Sequence, residues 1–218
     1  MNHFENQHTE SPNTKIDELL KKLADLDIHL EQETADTEQL SPQERIKSIK
    51  NVWDAIKAKL DNPETALDVG SGFGYGTVVL DMEGIKTVGI ESVPIKNQQA
   101  VALFQKVDII LHEIDEIDFE KSPAILEADF NKLDEKEIVD LITMFYLSEE
   151  LVSKEKTFQM CEQLLKKNGQ IVLATEADRA TVETIISSGN IKLPANFSVE
   201  IIDLPNNFEK TVIILTKI

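Results

Sequence analysis

The sequence predicts a three-layer α/β fold around a mostly parallel sheet, and three observations carry that prediction. From residue 63 onward, short apolar runs alternate with segments whose apolar residues recur at helical spacing, the pattern of successive strand–helix units. Near the start of that region lies Ala66 to Gly76, ALDVGSGFGYG. There an apolar run ending in Asp68 meets glycines at 70, 72, 74 and 76, then the apolar stretch Thr77 to Leu80. That is a buried strand, a turn that needs glycine, and a helix start. At the far end, two β-rich runs are separated only by PNNFEK. A parallel crossover needs a dozen or more residues, so these two runs form an antiparallel pair.

Residues 1–12 are polar, lack periodicity and read as a disordered tail. Residues 13–62 read as an N-terminal helical extension. Ile16, Leu19, Leu20, Leu23, Leu26 and Leu30 recur at helical spacing from about Thr14 to Leu30, and the polar segment EQETADTEQ follows. Ser41-Pro42-Gln43-Glu44 then supplies an N-cap, a first-turn proline and a capping-box glutamate. The helix so started carries Ile46, Ile49, Val52, Trp53, Ile56 and Leu60 on one face and stops near Asn62-Pro63. The default role of the two helices is packing against the sheet; a lid over a ligand is the alternative.

Residues 63–218 carry the sheet. Strands are predicted at Thr65 to Val69, Lys86 to Ile90, Ala124 to Ala128, Ile138 to Met144 and Gln170 to Thr175. The closing pair, Phe197 to Leu204 and Thr211 to Lys217, makes the sheet seven-stranded, with an antiparallel last strand. Apolar Val101, Phe104, Val107, Leu111, Ile114 and Ile117 predict one long helix from about Ile95 to Asp118, ended by Ser122-Pro123. Further helices are predicted from about Ser148 to Lys166, capped by Asn168-Gly169, and near Ala177 to Ser188.

Composition narrows the function classes. With 41% apolar residues over 218 positions, the chain can bury the core of one α/β domain. No apolar run approaches the roughly 20 residues of a membrane span. The start, MNHFENQHTESPN, has no basic or apolar region of a secretory signal. Cys161 is the only cysteine, which excludes an internal disulfide and fits a reducing compartment, so a cytoplasmic location is expected. Lys plus Arg number 22 against 40 Asp plus Glu, a net charge of −18. Such a chain repels phosphate backbones, and nucleic acid is a disfavoured partner. A basic protein would be attracted, although the acid also serves plain solubility. The oligomeric state is not legible.

The glycine turn carries the chemistry. Glycines let the backbone pass close to a ligand, and the N–H groups of the following helix face it. After a second apolar run comes Glu91, where an acid at the carboxyl end of the next strand binds ribose hydroxyls. The spacing is G-x-G-x-G, with Tyr75 where a dinucleotide fingerprint needs glycine. This resembles motif I of the class I S-adenosylmethionine-dependent methyltransferases. The resemblance implies their Rossmann-like fold and S-adenosyl-L-methionine as cofactor. It implies a cofactor site of Asp68, Gly70, Ser71, Gly72, Gly74 and Glu91. Asp129 would accept from the adenine amine, and Phe130 would cover a ring face. The segment LLKKNGQIVLATE resembles the helix, glycine turn and fifth strand of the same fold.

Within that family, DVGSGFGYGTVVL and the long helix after the second strand resemble the seven-stranded histone lysine methyltransferases. LSPQERI and ITMFYL are more similar to their small prokaryotic relatives. Those histone enzymes carry paired asparagines before a phenylalanine at the end of strand four; here the positions read Thr143-Met144-Phe145. TMFY keeps only the tyrosine of an Asn/Asp-Pro-Pro-Tyr turn, which argues against amino-adenine and glutamine methylation. Phe145 and Tyr146 are the candidate catalytic residues, lining an apolar slot that would keep a lysine amine neutral; ordinary core packing is the alternative. Glu149 and Glu150 either steer an ammonium or complement a helix dipole. No metal site is expected: His112, Glu113, Asp115 and Glu116 would spread around a helix. Three readings follow: a lysine methyltransferase of a basic protein, a small-molecule methyltransferase, and a non-catalytic binding protein on the same fold.

Overall fold

The computed structural model describes residues 11–24, 26, 40–145, 155–189, 195–204 and 206–218. Two helices come first, α1 (Pro12–Ala24) and α2 (Pro42–Ile56). The sheet begins with β1 (Thr65–Val69), α3 (Tyr75–Met82), β2 (Lys86–Glu91) and α4 (Pro94–Gln105). It continues through β3 (His112–Ile114), β4 (Ala124–Glu127) and β5 (Val139–Phe145). The last elements are α5 (Glu155–Leu164), β6 (Leu165–Thr175), α6 (Arg179–Ser187), β7 (Phe197–Asp203) and β8 (Thr211–Lys217).

The strands form one sheet in the order β3-β4-β2-β1-β5-β6-β8-β7. All neighbours are parallel except β6 with β8 and β7 with β8. The seven expected strands are all present, and the sheet has an eighth, β3, at its edge beside β4. This corrects the long helix. α4 ends at Gln105, Asp108 takes a left-handed φ of 61°, and the chain turns into the edge strand. Val107, Leu111 and Ile114 are buried as expected, but in the turn after α4, the stretch leading to β3, and β3 itself. A short apolar pattern fits either period, and pairing of His112 with Ala124 decides it. His112 and Glu113 therefore lie on a strand, not a helix.

Two further boundaries differ. α5 ends at Leu164, and Leu165 already pairs with Val139 before the register shifts to Gln170 opposite Leu141. Asn168 adopts φ 63° within that looped-out stretch, and Gly169 sits where a Cβ would meet Lys166 O at 3.0 Å. The predicted cap is a bulge inside β6. The expected helix start at Ser148 lies outside the described residues, as do Glu149, Glu150, the EQETADTEQ segment and residues 1–10 of the expected tail.

The sheet has a hydrophobic core on each face, which makes the three layers. α1, α2, α3 and α4 bury Leu19, Leu23, Ile49, Val79 and Phe104 with Leu141 and Val172 of the strands. The opposite core joins Phe158, Cys161 and Leu164 of α5 and Val182 of α6 to Leu67, Val88 and Ile142. Each large apolar side chain so buried contributes about 1.5–3 kcal/mol. The capping box of α2 forms as its sequence requires: the Glu44 N–H donates to Ser41 Oγ at 3.3 Å and the Ser41 N–H to Glu44 Oε2 at 2.7 Å. Trp53 Nε1 of α2 donates to Glu83 Oε2 beyond α3 at 2.9 Å. Ser48 Oγ of α2 donates to buried Glu209 in the β7–β8 turn. These bonds tie α2 to the end of α3 and to the β7–β8 turn. Among the described residues no helix is long and apolar enough to cross a membrane.

Candidate active site

The helices after β1 and β2 cover one face, whereas α5 after β5 covers the other. The chain therefore diverges between β1 and β5, neighbours in the sheet, and leaves a crevice outside their carboxyl ends. The glycine loop following β1 opens into that crevice. Its N–H groups at Gly70 and Ser71 donate to Ile90 O at 2.8 and 3.1 Å, so the loop is pinned across the end of β2. The loop then closes on itself through Gly74 N–H to Ser71 O at 2.8 Å.

Two glycines need their lack of a side chain for different reasons. Gly72 has φ 55°, and a Cβ built there would meet nothing nearer than Gly70 O at 4.0 Å. The crest of the loop thus faces open space. Gly76, in the first turn of α3, is the reverse case: a Cβ there would lie 2.5 Å from Asp68 Oδ2 and 2.9 Å from Phe145 Cδ2. Its absence lets α3 close onto β1 and β5.

Glu91 ends β2 with 6% exposure and anchors the loop with both oxygens. Its Oε2 accepts from the Gly72 N–H at 3.0 Å and its Oε1 from the Val93 N–H at 2.9 Å. A carboxylate offers about four acceptor positions, so Glu91 retains capacity for a diol. Asp68 is 2% exposed under the first turn of α3. Thr77 Oγ1 donates to its Oδ2 and Thr143 Oγ1 to its Oδ1, each at 3.0 Å. Burial, reinforced by the nearby Glu91 charge, pushes the Asp68 carboxyl up to about 6 against the pull of the two hydroxyls.

Asp129 follows β4 at the same end of the sheet. It accepts from the Asn131 N–H at 3.1 Å and pairs with Lys132 at 3.1 Å, an arrangement that holds its carboxyl below the usual range. Phe130 is buried in the second core, on the α5 side of the sheet. Phe145 closes β5, 5% exposed in the first core against Gly76. Tyr146 lies outside the described residues. The structure therefore brings Asp68, Gly70, Ser71, Gly72 and Glu91 to one crevice and places Asp129 at its β4 side. Gly74 follows in the same loop, where a Cβ would lie 3.1 Å from Leu111, and Phe145 and Phe130 are buried in the first and second cores.

Sequence reasoning missed four contributors. Thr77 and Thr143 hold Asp68, and Gly89 provides room for Thr77: a Cβ at Gly89 would lie 2.4 Å from Thr77 Oγ1 and 2.8 Å from Ser71 Oγ. Asn97, 3% exposed in α4, donates to Glu91 O at 3.5 Å. Alternation along β5 puts Thr143 on the face of Leu141 and Phe145, a usable signal, but its partner is set by strand register alone.

The crevice fits a nucleoside cofactor bearing positive charge. Open space over Gly72, Ser71 Oγ and Asn97 Oδ1 buried without a hydrogen-bond partner, and two carboxylates at its floor are the features such a group needs. Comparison with known proteins agrees. A family model described as a methyltransferase domain matches residues 42–195. No curated protein matches the chain in sequence. Among solved structures, the chain is similar to tRNA (m1A58) methyltransferase from Aquifex aeolicus (14% identity, TM-score 0.58, covering 91% of this chain and 76% of that one). It is also similar to magnesium protoporphyrin IX methyltransferase from Synechocystis PCC 6803 with bound S-adenosylmethionine (14%, 0.56, 95% and 93%). A third is the ribosomal protein L11 methylase from Lactobacillus delbrueckii subsp. bulgaricus (16%, 0.55, 78% and 78%). At these identities the likeness is one of fold.

Proposed function

This chain belongs to the methyltransferase domain family, as an S-adenosylmethionine-dependent methyltransferase, and on that premise we propose that its acceptor is a lysine amine of a basic protein. The net charge of −18 is the observation that carries the reading. It favours encounter with a cationic polypeptide and disfavours a polyphosphate one. Exposed Glu127 and Asp129 extend that charge along the carboxyl end of β4. The resemblance of the glycine loop to that of the seven-stranded lysine methyltransferases points the same way.

The cofactor supplies an activated methyl group on a sulfonium. In this reading Gly70, Ser71, Gly72 and Gly74 let the backbone approach its amino-acid end, Glu91 accepts from the ribose hydroxyls, and Asp129 accepts from the adenine amine. Asp68 supports the loop from beneath through Thr77 and adds negative charge. Phe130 stiffens the turn after β4 from inside the core. Phe145 and Tyr146 form the apolar wall of the acceptor slot; low polarity there lowers the pKa of a lysine amine and frees its lone pair. In-line alignment and exclusion of water provide the acceleration.

Thr143 and Met144 occupy the positions of the family's asparagine pair, and neither is free to orient an amine. Thr143 is committed to Asp68, and Met144 is 1% exposed in the second core. That departure favours a second reading, a small-molecule acceptor. Incubating the protein with isotope-labelled S-adenosylmethionine and a cell lysate separates the two. Label on lysine-rich proteins is expected, with kcat/KM falling as salt shortens the Debye length to about 8 Å. Label confined to metabolites, with salt-insensitive turnover, selects the second reading.

A further inference from the structure

Thr143, where the resemblance to the seven-stranded lysine methyltransferases would place an asparagine, is fully buried and bonded to a buried carboxylate. Thr143 of β5 stands directly beside Asp68 of β1, and Asp68 directly beside Gly89 of β2. This row of three lies under the first turn of α3, where Gly76 and Thr77 press onto it. Among the described residues no lysine, arginine or histidine pairs with Asp68; its donors are the hydroxyls of Thr143 and Thr77 and the Thr77 backbone N–H, all neutral, and the charge acting on it is that of Glu91. A buried carboxylate without a counter-charge is expensive, and an apolar residue would fit the fold better. Two such carboxylates at the root of the cradle make an anionic floor suited to a ligand that carries cationic sulfonium and ammonium groups.

We propose that Thr143 is a positioning residue for methyl transfer: by donating to Asp68 at 3.0 Å it orients that carboxylate and keys the end of β5, which bears the proposed acceptor wall, to the glycine cradle. The inference rests on the cofactor assignment. Thr143 acts through Asp68 in two ways. Its hydroxyl favours the charged form, which attracts the cationic cofactor. Its place two residues before Phe145 means that the same bond sets the spacing between acceptor wall and loop. The groups facing Asp68 are Thr77 from α3, Thr143 from β5 and Glu91 from β2, so removal of one donor leaves no cation to compensate.

The test is the affinity for S-adenosylmethionine measured by calorimetry across pH. In the wild-type protein, affinity should weaken as pH falls through about 6 and Asp68 takes up a proton. Thr143→Val, close in shape but lacking the donor, should move that limb upward by about one pH unit. Thr143→Ser should restore it. Cys161→Ala, a core change on the opposite face, should lower stability and leave the limb in place. Should Thr143→Val not fold, Thr143→Cys, a weaker donor, should move the limb in the same direction. An unmoved limb in a folded Thr143→Val or Thr143→Cys protein overturns the inference while the cofactor assignment stands. Wild-type protein that binds no S-adenosylmethionine at any pH overturns both.

Discussion

Replacing Asp68 with asparagine should make the ligand-free protein more stable at neutral pH relative to wild type, and the gain should vanish in acid. Asp68 is 2% exposed, and its carboxyl is pushed up to about 6 from a reference of 3.8. The native state therefore binds a proton more tightly than the unfolded chain between those values. The contribution of Asp68 to stability is fully present below pH 3.8 and is lost as pH rises through about 6. A shift of about two pH units corresponds to about 3 kcal/mol. Asparagine has the same shape and cannot titrate, and Thr77 and Thr143 can turn their hydroxyls to suit its amide. The bonds that Thr77 and Thr143 make to the charged form are already contained in that shift, and the difference between asparagine and the neutral acid is an offset that does not vary with pH. Urea denaturation of both proteins from pH 4 to pH 7, with matching m-values, reads the difference directly, because all other carboxylates cancel. The stability of Asp68→Asn minus that of wild type should rise by about 2 kcal/mol across that range, the rest of the roughly 3 kcal/mol lying below pH 4. Parallel curves would refute the reasoning and mean that Asp68 is solvated or paired with a cation.

Two other substitutions probe the cradle. Gly72→Val places a side chain in the open space above the loop at φ 55°. It should cost about 1–2 kcal/mol of folding stability by thermal or urea unfolding and abolish S-adenosylmethionine binding by calorimetry; a folded variant with retained affinity puts the cofactor elsewhere. Glu91→Ala removes the acceptor of the Gly72 and Val93 N–H groups along with the expected ribose contact. Affinity should drop by about 1.5–3 kcal/mol, and a negligible loss would reduce Glu91 to a loop anchor.

What the sequence determined by itself is everything decided by neighbours along the chain. The strand Thr65–Val69 was legible to the residue from its apolar run and the glycines after it. The capping box at Ser41 and the antiparallel closing pair follow equally from local rules. The crevice was legible too, because a glycine loop between strand and helix, with an acid ending the next strand, has one geometry in a parallel sheet. What the tertiary structure decided are matters of register and competition. The stretch from Val107 to Ile114 satisfies a helical period, yet an open sheet edge beside β4 gives its backbone better partners. Phe130, which the resemblance assigns to a face of the adenine ring, is packed into the second core. Asp68, Gly89 and Thr143 lie 21 and then 54 residues apart along the sequence but stand abreast on three adjacent strands, within reach of Thr77. Periodicity assigns each of them a face. Only the pairing of the strands, set by the simultaneous burial of both faces of the sheet, brings them together around one buried charge.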